Sequence, residues 1–307
     1  MAQVKTVKLI HKVDSVLTGM YNKVDYDTAY MSRPGHRFKI KLLTNLSRFE
    51  LIAKGKDMEL DWKNKPRSSA SIEVSFLDVS AGFSINTSGI GDKNKDLEFN
   101  LNSYGNRFSI DGSYLVSKTV AGNTRYYDNS FRINEGLLKW KTLNVTGYYT
   151  FNYRHFSFPA AFSQSYIQKR SAGSFLAGLT YQNHSIKVLE ETESDYTNIR
   201  QRMDFLSVGG GYGYNYVPNK RWLFHLSSLP TLVVYAEDVV KMDDTSVRTK
   251  IDFPTFILNG RAAVIYNFNT KYFAGLTLVG NKLINRHKGT TTEENKWLGK
   301  LFFGFRW

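Results

Sequence analysis

The chain has no cysteine, which excludes disulfides, thiolate metal sites and cysteine nucleophiles. It also lacks any apolar run of the roughly eighteen or more residues that a transmembrane helix needs. Proline is scarce, at 6 of 307 residues, while glycine, at 23, is spread throughout. Clustered basic residues are missing too. The net charge is +14, yet the lysines and arginines are dispersed and match no nucleic-acid motif, so no nucleic-acid partner is expected. Anionic lipid head groups are the more natural partners for that charge.

Aromatics are abundant, at 15% of the chain, with 19 Tyr and 21 Phe. The mean hydropathy of -0.37 reads as soluble. That average does not exclude a membrane β-barrel. Barrel strands need only about 9–11 residues, and their alternation of apolar and polar positions keeps the mean low.

The N-terminal segment follows a helical period. Val7, Ile10, Val13, Leu17, Met20 and Val24 fall on one face, with Lys8, Lys12, Asp14 and Lys23 off it. Arg33-Pro34-Gly35 is a turn signal that ends it. The expected layout is an N-terminal periplasmic helical segment over 1–35 and a transmembrane barrel over 36–307. The helix either packs under the barrel or plugs it. Met1-Ala2-Gln3 carries no leader, so a removed signal peptide is expected.

From Arg37 the period is two. At the C-terminus, Trp297, Gly299, Leu301, Phe303, Phe305 and Trp307 share one face, against Leu298, Lys300, Phe302, Gly304 and Arg306. Apolar positions with terminal aromatics are what a lipid-facing strand needs. The final aromatic resembles the signal read by barrel-assembly machinery. Phe256 to Phe268 repeats the pattern, as do the stretches at 206–216, 175–181, 143–153 and 108–116. In the stretch from Trp222 to Val234, His225, Ser227, Thr231 and Tyr235 fall on the polar side. About twelve strands result, an even number as in bacterial single-chain barrels. Short links alternate with longer polar ones near 89–94, 120–133, 189–200, 238–250 and 288–295. The fold expected is an all-β, transmembrane, antiparallel up-and-down barrel. A soluble sandwich or lipocalin-like barrel would alternate equally well, but the polar face cannot fill its core.

The segment 154–171 breaks the alternation of link lengths. It is long where a short turn is due. Gly209, Gly211 and Gly213 leave volume on the inner wall for it, so it either folds into the lumen or forms a periplasmic turn that docks a partner or the N-terminal helix. Ser157-Phe158-Pro159-Ala160-Ala161-Phe162 with Gln168-Lys169-Arg170-Ser171-Ala172-Gly173-Ser174-Phe175 resembles the Bacteroidota envelope proteins grouped as domain of unknown function family 4421. Asp25-Tyr26-Asp27-Thr28-Ala29-Tyr30 with Pro34 is similar to that family's N-terminal segment. The resemblance implies an outer-membrane barrel, a lost signal sequence and no established activity.

Lumen-lining candidates are Lys39, Lys41, Glu73, Asp111, His184, His225, Arg261, Lys300 and Arg306. Their charges form either a hydrated salt-bridge network or a constriction for a small or anionic solute. Metal-ligand spacings and phosphate loops are absent, so no metal, cofactor or catalytic residue is assigned. The function expected is a non-enzymatic outer-membrane barrel of a Gram-negative bacterium, a porin-like narrow channel or a scaffold. Outer-membrane lipids, lipopolysaccharide and an envelope protein are its expected partners. The alternative is a lipid-modifying barrel enzyme using His184 or His225.

Overall fold

A computed structural model describes residues 15, 18–19, 24–64, 67–87, 96–188, 199–242, 245–250, 255–287 and 290–307. Most of the expected N-terminal helix lies outside the described residues. Along the chain run β1 (Met31–Ser32), β2 (Phe38–Lys54), β3 (Met58–Asn64), β4 (Arg67–Phe76), β5 (Val79–Asn86), β6 (Leu97–Tyr104), β7 (Phe108–Ser117), β8 (Val120–Tyr126), β9 (Asn129–Ile133) and β10 (Leu138–Thr150). Helix α1 (Phe158–Phe162) and β11 (Ile167–Gln168) follow. Then come β12 (Ala172–Val188), β13 (Ile199–Tyr216), β14 (Trp222–Met242), β15 (Thr245–Lys250), β16 (Phe256–Asn267), β17 (Tyr272–His287) and β18 (Thr290–Arg306).

Twelve of these strands form a closed antiparallel barrel in the order β2-β4-β5-β6-β7-β10-β12-β13-β14-β16-β17-β18. The last strand closes on the first, with Arg306 opposite Lys39 and Thr291 opposite Lys54. No unpaired edge is left in the wall, as a lipid environment requires of backbone polar groups. No described helix is long and apolar enough to cross a membrane. The outward face carries exposed Leu42, Ile72, Leu101, Ile110, Leu226 and Leu301, an apolar band open to lipid. Near the short turns it ends in aromatics. Trp222 stacks on Phe224, and Phe305 stacks on Trp307. Such a belt marks a head-group level.

The short links at 77–78, 105–107, 217–221 and 268–271 lie at one end, as expected. At the opposite end three of the expected polar links are largely sheet, the one at 288–295 because β18 already begins at Thr290. Residues 120–133 form the β8–β9 hairpin, and β3 joins β2 to β8. Strand β15 likewise pairs with the outer part of β14. Backbone pairing satisfies these polar segments above the membrane, where no hydrophobic alternation is needed to hold them.

One facing assignment is corrected. The pairing of β13 with β14 jumps between Leu206–Tyr235 and Ser207–Val233. Val234 is the extra residue of a β-bulge, and both Val234 and Tyr235 are exposed. Period two cannot reveal a bulge, because the extra residue resets the phase.

The glycine run of β13 serves two purposes. A Cβ at Gly209 or Gly211 would run into the β14 backbone, at Pro230 O and Ser228 O respectively. Gly213 instead leaves its volume to the ring of Phe156. A Gly211→Val variant should therefore lose on the order of 1–3 kcal/mol to overpacking. Its folded fraction, read as heat-dependent gel mobility after refolding, should fall below wild type. A Gly211→Val protein as stable as wild type would contradict this close approach.

Candidate functional site

The segment after β10 turns back into the barrel. It is built from local rules. Ser157 caps α1, its Oγ accepting from Ala160 N at 3.2 Å, and Pro159 sits in the first turn. After Ser163, Gln164 adopts a positive φ of 54°, which ends the helical turn. Phe156, Phe158, Ala160 and Ala161 are buried. Of the two readings held for 154–171, the lumen placement is the one observed.

A helix this short leaves its carbonyls without intrahelical partners. The barrel supplies them. Lys41 Nζ donates to Phe162 O at 3.1 Å. Lys39 Nζ donates to Ser163 O at 2.8 Å and to Ser165 Oγ at 2.7 Å. Arg306 Nε donates to Gln164 O at 3.2 Å. Its other nitrogens hold Thr270 O and Asn267 Oδ1 at 3.1 and 3.2 Å. Three predicted lumen cations thus grip consecutive carbonyls, and all come from the two strands that close the barrel.

The other end of the insert is fixed by two amides. Gln168 Oε1 accepts from Ser157 N at 2.8 Å and from Asn215 Nδ2 at 3.2 Å. Gln168 Nε2 donates to His155 O at 2.5 Å and Arg170 O at 3.0 Å. Asn215 Nδ2 also donates to Ser157 O at 2.9 Å. That leaves Asn215 Oδ1 facing His225 Nδ1 at 2.7 Å, and His225 Nε2 facing Ser227 Oγ at 2.9 Å. Phe156, Phe158 and Phe162 pack around the His225 ring, at 5.9, 5.6 and 5.0 Å between centroids.

The chain ahead of the barrel joins the same plug. β1 pairs with β11, Met31 opposite Gln168. Asp27 N donates to Arg154 O at 2.9 Å, and Lys169 N donates to Tyr30 O at 2.7 Å. Tyr26 meets Tyr166 edge-on at 5.4 Å. Arg33 holds both oxygens of Asp78 at 3.0 Å and also donates to Tyr166. The two stretches that carried the family resemblance therefore meet at one place, the short-turn mouth of the barrel.

Above the plug the remaining candidates gather. Lys41 pairs with Glu73 at 2.7 Å, and Arg261 with Asp111 at 2.5 Å. Tyr104 donates to the same Asp111, and Arg261 to Tyr148. The Arg261 guanidinium also lies 5.6 Å from the Phe158 ring centre and 5.4 Å from that of Phe162. A cavity of about 120 Å³ is lined by these pairs together with Lys300. His184 is separate and higher, beneath Trp140 and Phe205. There Val120, Leu138, Trp140 and Ile186 form an apolar cluster that narrows the lumen, with Phe49 and Trp62 against it.

The nine candidates divide: Lys39, Arg306 and His225 meet the insert, Lys41, Glu73, Asp111, Arg261 and Lys300 line the chamber, and His184 lines the cavity above. Sequence reasoning missed Gln168 and Asn215 as anchors, and Lys296 as a lining residue. Asn215 and Lys296 do fall on polar positions of their strands. Gln168 lies where no period holds, so no pattern flagged it. No group of acidic or histidine side chains able to hold a metal occurs among the described residues.

The wall, band and filled mouth define a membrane β-barrel of the outer-membrane type, closed on one side by its own chain. The chain belongs to the domain of unknown function family DUF4421, whose model matches residues 25–307. No curated protein sequence matches it. Among solved structures it is similar to the outer-membrane protease OmpT from Escherichia coli, at 9% identity and a TM-score of 0.42, covering 94% of this chain and 100% of that one. It is also similar to an outer-membrane channel from Pseudomonas putida F1, at 13% identity and a TM-score of 0.40, covering 93% and 100%. The translocator domain of the autotransporter NalP from Neisseria meningitidis matches at 9% identity and a TM-score of 0.38, covering 99% and 97%.

The grip on the helix carbonyls has a measurable consequence. Lys39→Met leaves Ser163 O and Ser165 Oγ buried without that donor, at about 1–3 kcal/mol. Proteolysis of the folded barrel within 154–171 should accelerate, whereas Lys220→Met, in an exposed turn, should leave it unchanged. Equal resistance in both variants would show that Lys39 does not hold the insert.

Proposed function

We propose that this protein is a non-enzymatic outer-membrane barrel held shut by its own insert, and that it acts as a narrow channel only when the insert moves. The observation that carries this reading is the capture of Phe162 O, Ser163 O and Gln164 O by Lys41, Lys39 and Arg306. An insert bonded to the wall at three consecutive carbonyls blocks the periplasmic half of the lumen. The polar, ion-paired chamber above it favours a solute path over a purely structural interior. The scaffold reading keeps the same closed barrel and assigns its role to the exposed periplasmic face of the plug, around Asp27, Arg154 and Lys169.

Planar-bilayer recording tests this. The wild-type barrel should carry no steady current. A variant with residues 156–166 replaced by a Gly/Ser linker should conduct. Steady wild-type current would overturn the closed state, and a silent linker variant would leave the scaffold reading.

One observation favours the enzyme alternative. Ser227, His225 and Asn215 form a hydrogen-bonded chain in which Asn215 fixes the histidine proton on Nδ1 and leaves Nε2 to accept from Ser227. That is the tautomer a general base for serine needs. The chain lies under three phenylalanine rings, so it serves first as an anchor for the plug. A fluorophosphonate should therefore label neither the wild-type barrel nor the linker variant at Ser227. Labelling abolished by Ser227→Ala would establish the enzyme.

A further inference from the structure

The chamber above the insert is charged but not balanced. Two of its cations are spoken for: Lys41 by Glu73, and Arg261 by Asp111. Three charged side chains remain on its lining, Lys296, Lys300 and Glu98. Among the described residues none of the three has a hydrogen bond or a close ion pair. Four cations against three carboxylates leave the chamber one positive charge in excess.

The placement of the lysines follows from register. Both belong to the inward face of β18, four residues apart with Leu298 between them. Lys300 lies opposite Asn45 and Thr277, and Lys296 opposite Phe49 and Asn281. Thr277, Asn281, Asn100 and Asn102 line the same cavity and add neutral donors. Lys296 also lines two smaller cavities higher in the lumen, of about 30 and 40 Å³. In the first of these, buried His184 has an Nε2 without a hydrogen-bond partner. Lys296 thus lies on all three cavities of the inner wall, and the excess positive charge is confined to the chamber it shares with Lys300.

An unpaired ammonium inside low-dielectric walls draws a counter-ion, and such walls focus its field. The chamber has room for several waters, and so for inorganic phosphate or a short carboxylate. The floor is Phe162 of the insert, so the anion approaches from the extracellular side.

We propose that the chamber is a binding site for a small oxyanion, phosphate or short-chain carboxylate, held by Lys296 and Lys300. This rests on the insert forming the floor of the closed barrel, and it names the solute class for that same lumen. The lysines without a hydrogen bond or close ion pair carry it, in a chamber with room for such an anion.

Equilibrium titration of the full chain in detergent micelles tests the site without requiring conduction. Inorganic phosphate and succinate are titrated separately, with chloride as the control, and binding is read by calorimetry and by shift in unfolding temperature. One or both oxyanions should bind saturably, and chloride should not. Lys296→Gln with Lys300→Gln should weaken binding by about tenfold or more, near 1.4 kcal/mol. Lys220→Gln should not change it. If the double variant fails to show heat-dependent mobility, Lys300→Gln and Lys300→Arg replace it: the first should weaken binding and the second should retain it. No saturable binding by wild type, or binding unchanged by loss of the lysine charge, overturns the site. Either result can occur with the barrel shut, so it is separable from failure of the closed-channel reading, which wild-type current or a silent linker variant would sink.

Discussion

The interior depends on one unmet need, the free carbonyls at the end of a one-turn helix. Backbone C=O groups buried without donors are costly, and α1 is too short to satisfy its own. Lys39 and Lys41 on β2 and Arg306 on β18 supply the donors. Cations also suit the negative end of the helix dipole. Because β2 and β18 are the closing pair, the contacts that seat the insert lie across the barrel seam. Closure of the wall and filling of the mouth are thus one structural event.

The insert also resolves a volume problem. A wall that turns its apolar side chains to lipid keeps mostly polar and small ones inside, and these cannot fill the lumen of twelve strands. The chain brings the missing apolar volume in from a link. Met31, Ala160, Ala161 and Tyr166 pack with Leu223, Ile265, Phe273 and Phe302 of the wall. Phe156 and Phe158 pack with Tyr148, Leu176 and Leu229 on the other side. The polar residues left on the wall then act as anchors, as Asn215 does, or stay above the plug as ion pairs.

That division gives the lumen a direction. Its short-turn half is filled, interlocked and bonded to the wall. Its upper half keeps separate small cavities between Arg261–Asp111 below and the Trp140 cluster above. The ion pairs Lys41–Glu73 and Arg261–Asp111 lie in this upper half. Membership of a family without assigned activity leaves those charges as the chemical starting point for assigning one.

The amino-acid sequence by itself determined the wall. Lipid on one side of every strand imposes a period of two, and that period is local, so about twelve strands could be read directly. It was silent where the period stops or slips. A bulge at Val234 turned Tyr235 outward, and β3, β8, β9 and β15 pair in polar stretches that carry no alternation. For 154–171 the sequence left the lumen and the periplasm equally open, because glycines opposite can measure room but not occupancy. Only the tertiary structure decided that Gln168 meets Asn215 across 47 residues and that Arg306 meets Gln164 across 142. The first needs only β12 beside β13, whereas the second exists once the sheet has closed on itself, since closure is what brings the first and last strands to the same carbonyls.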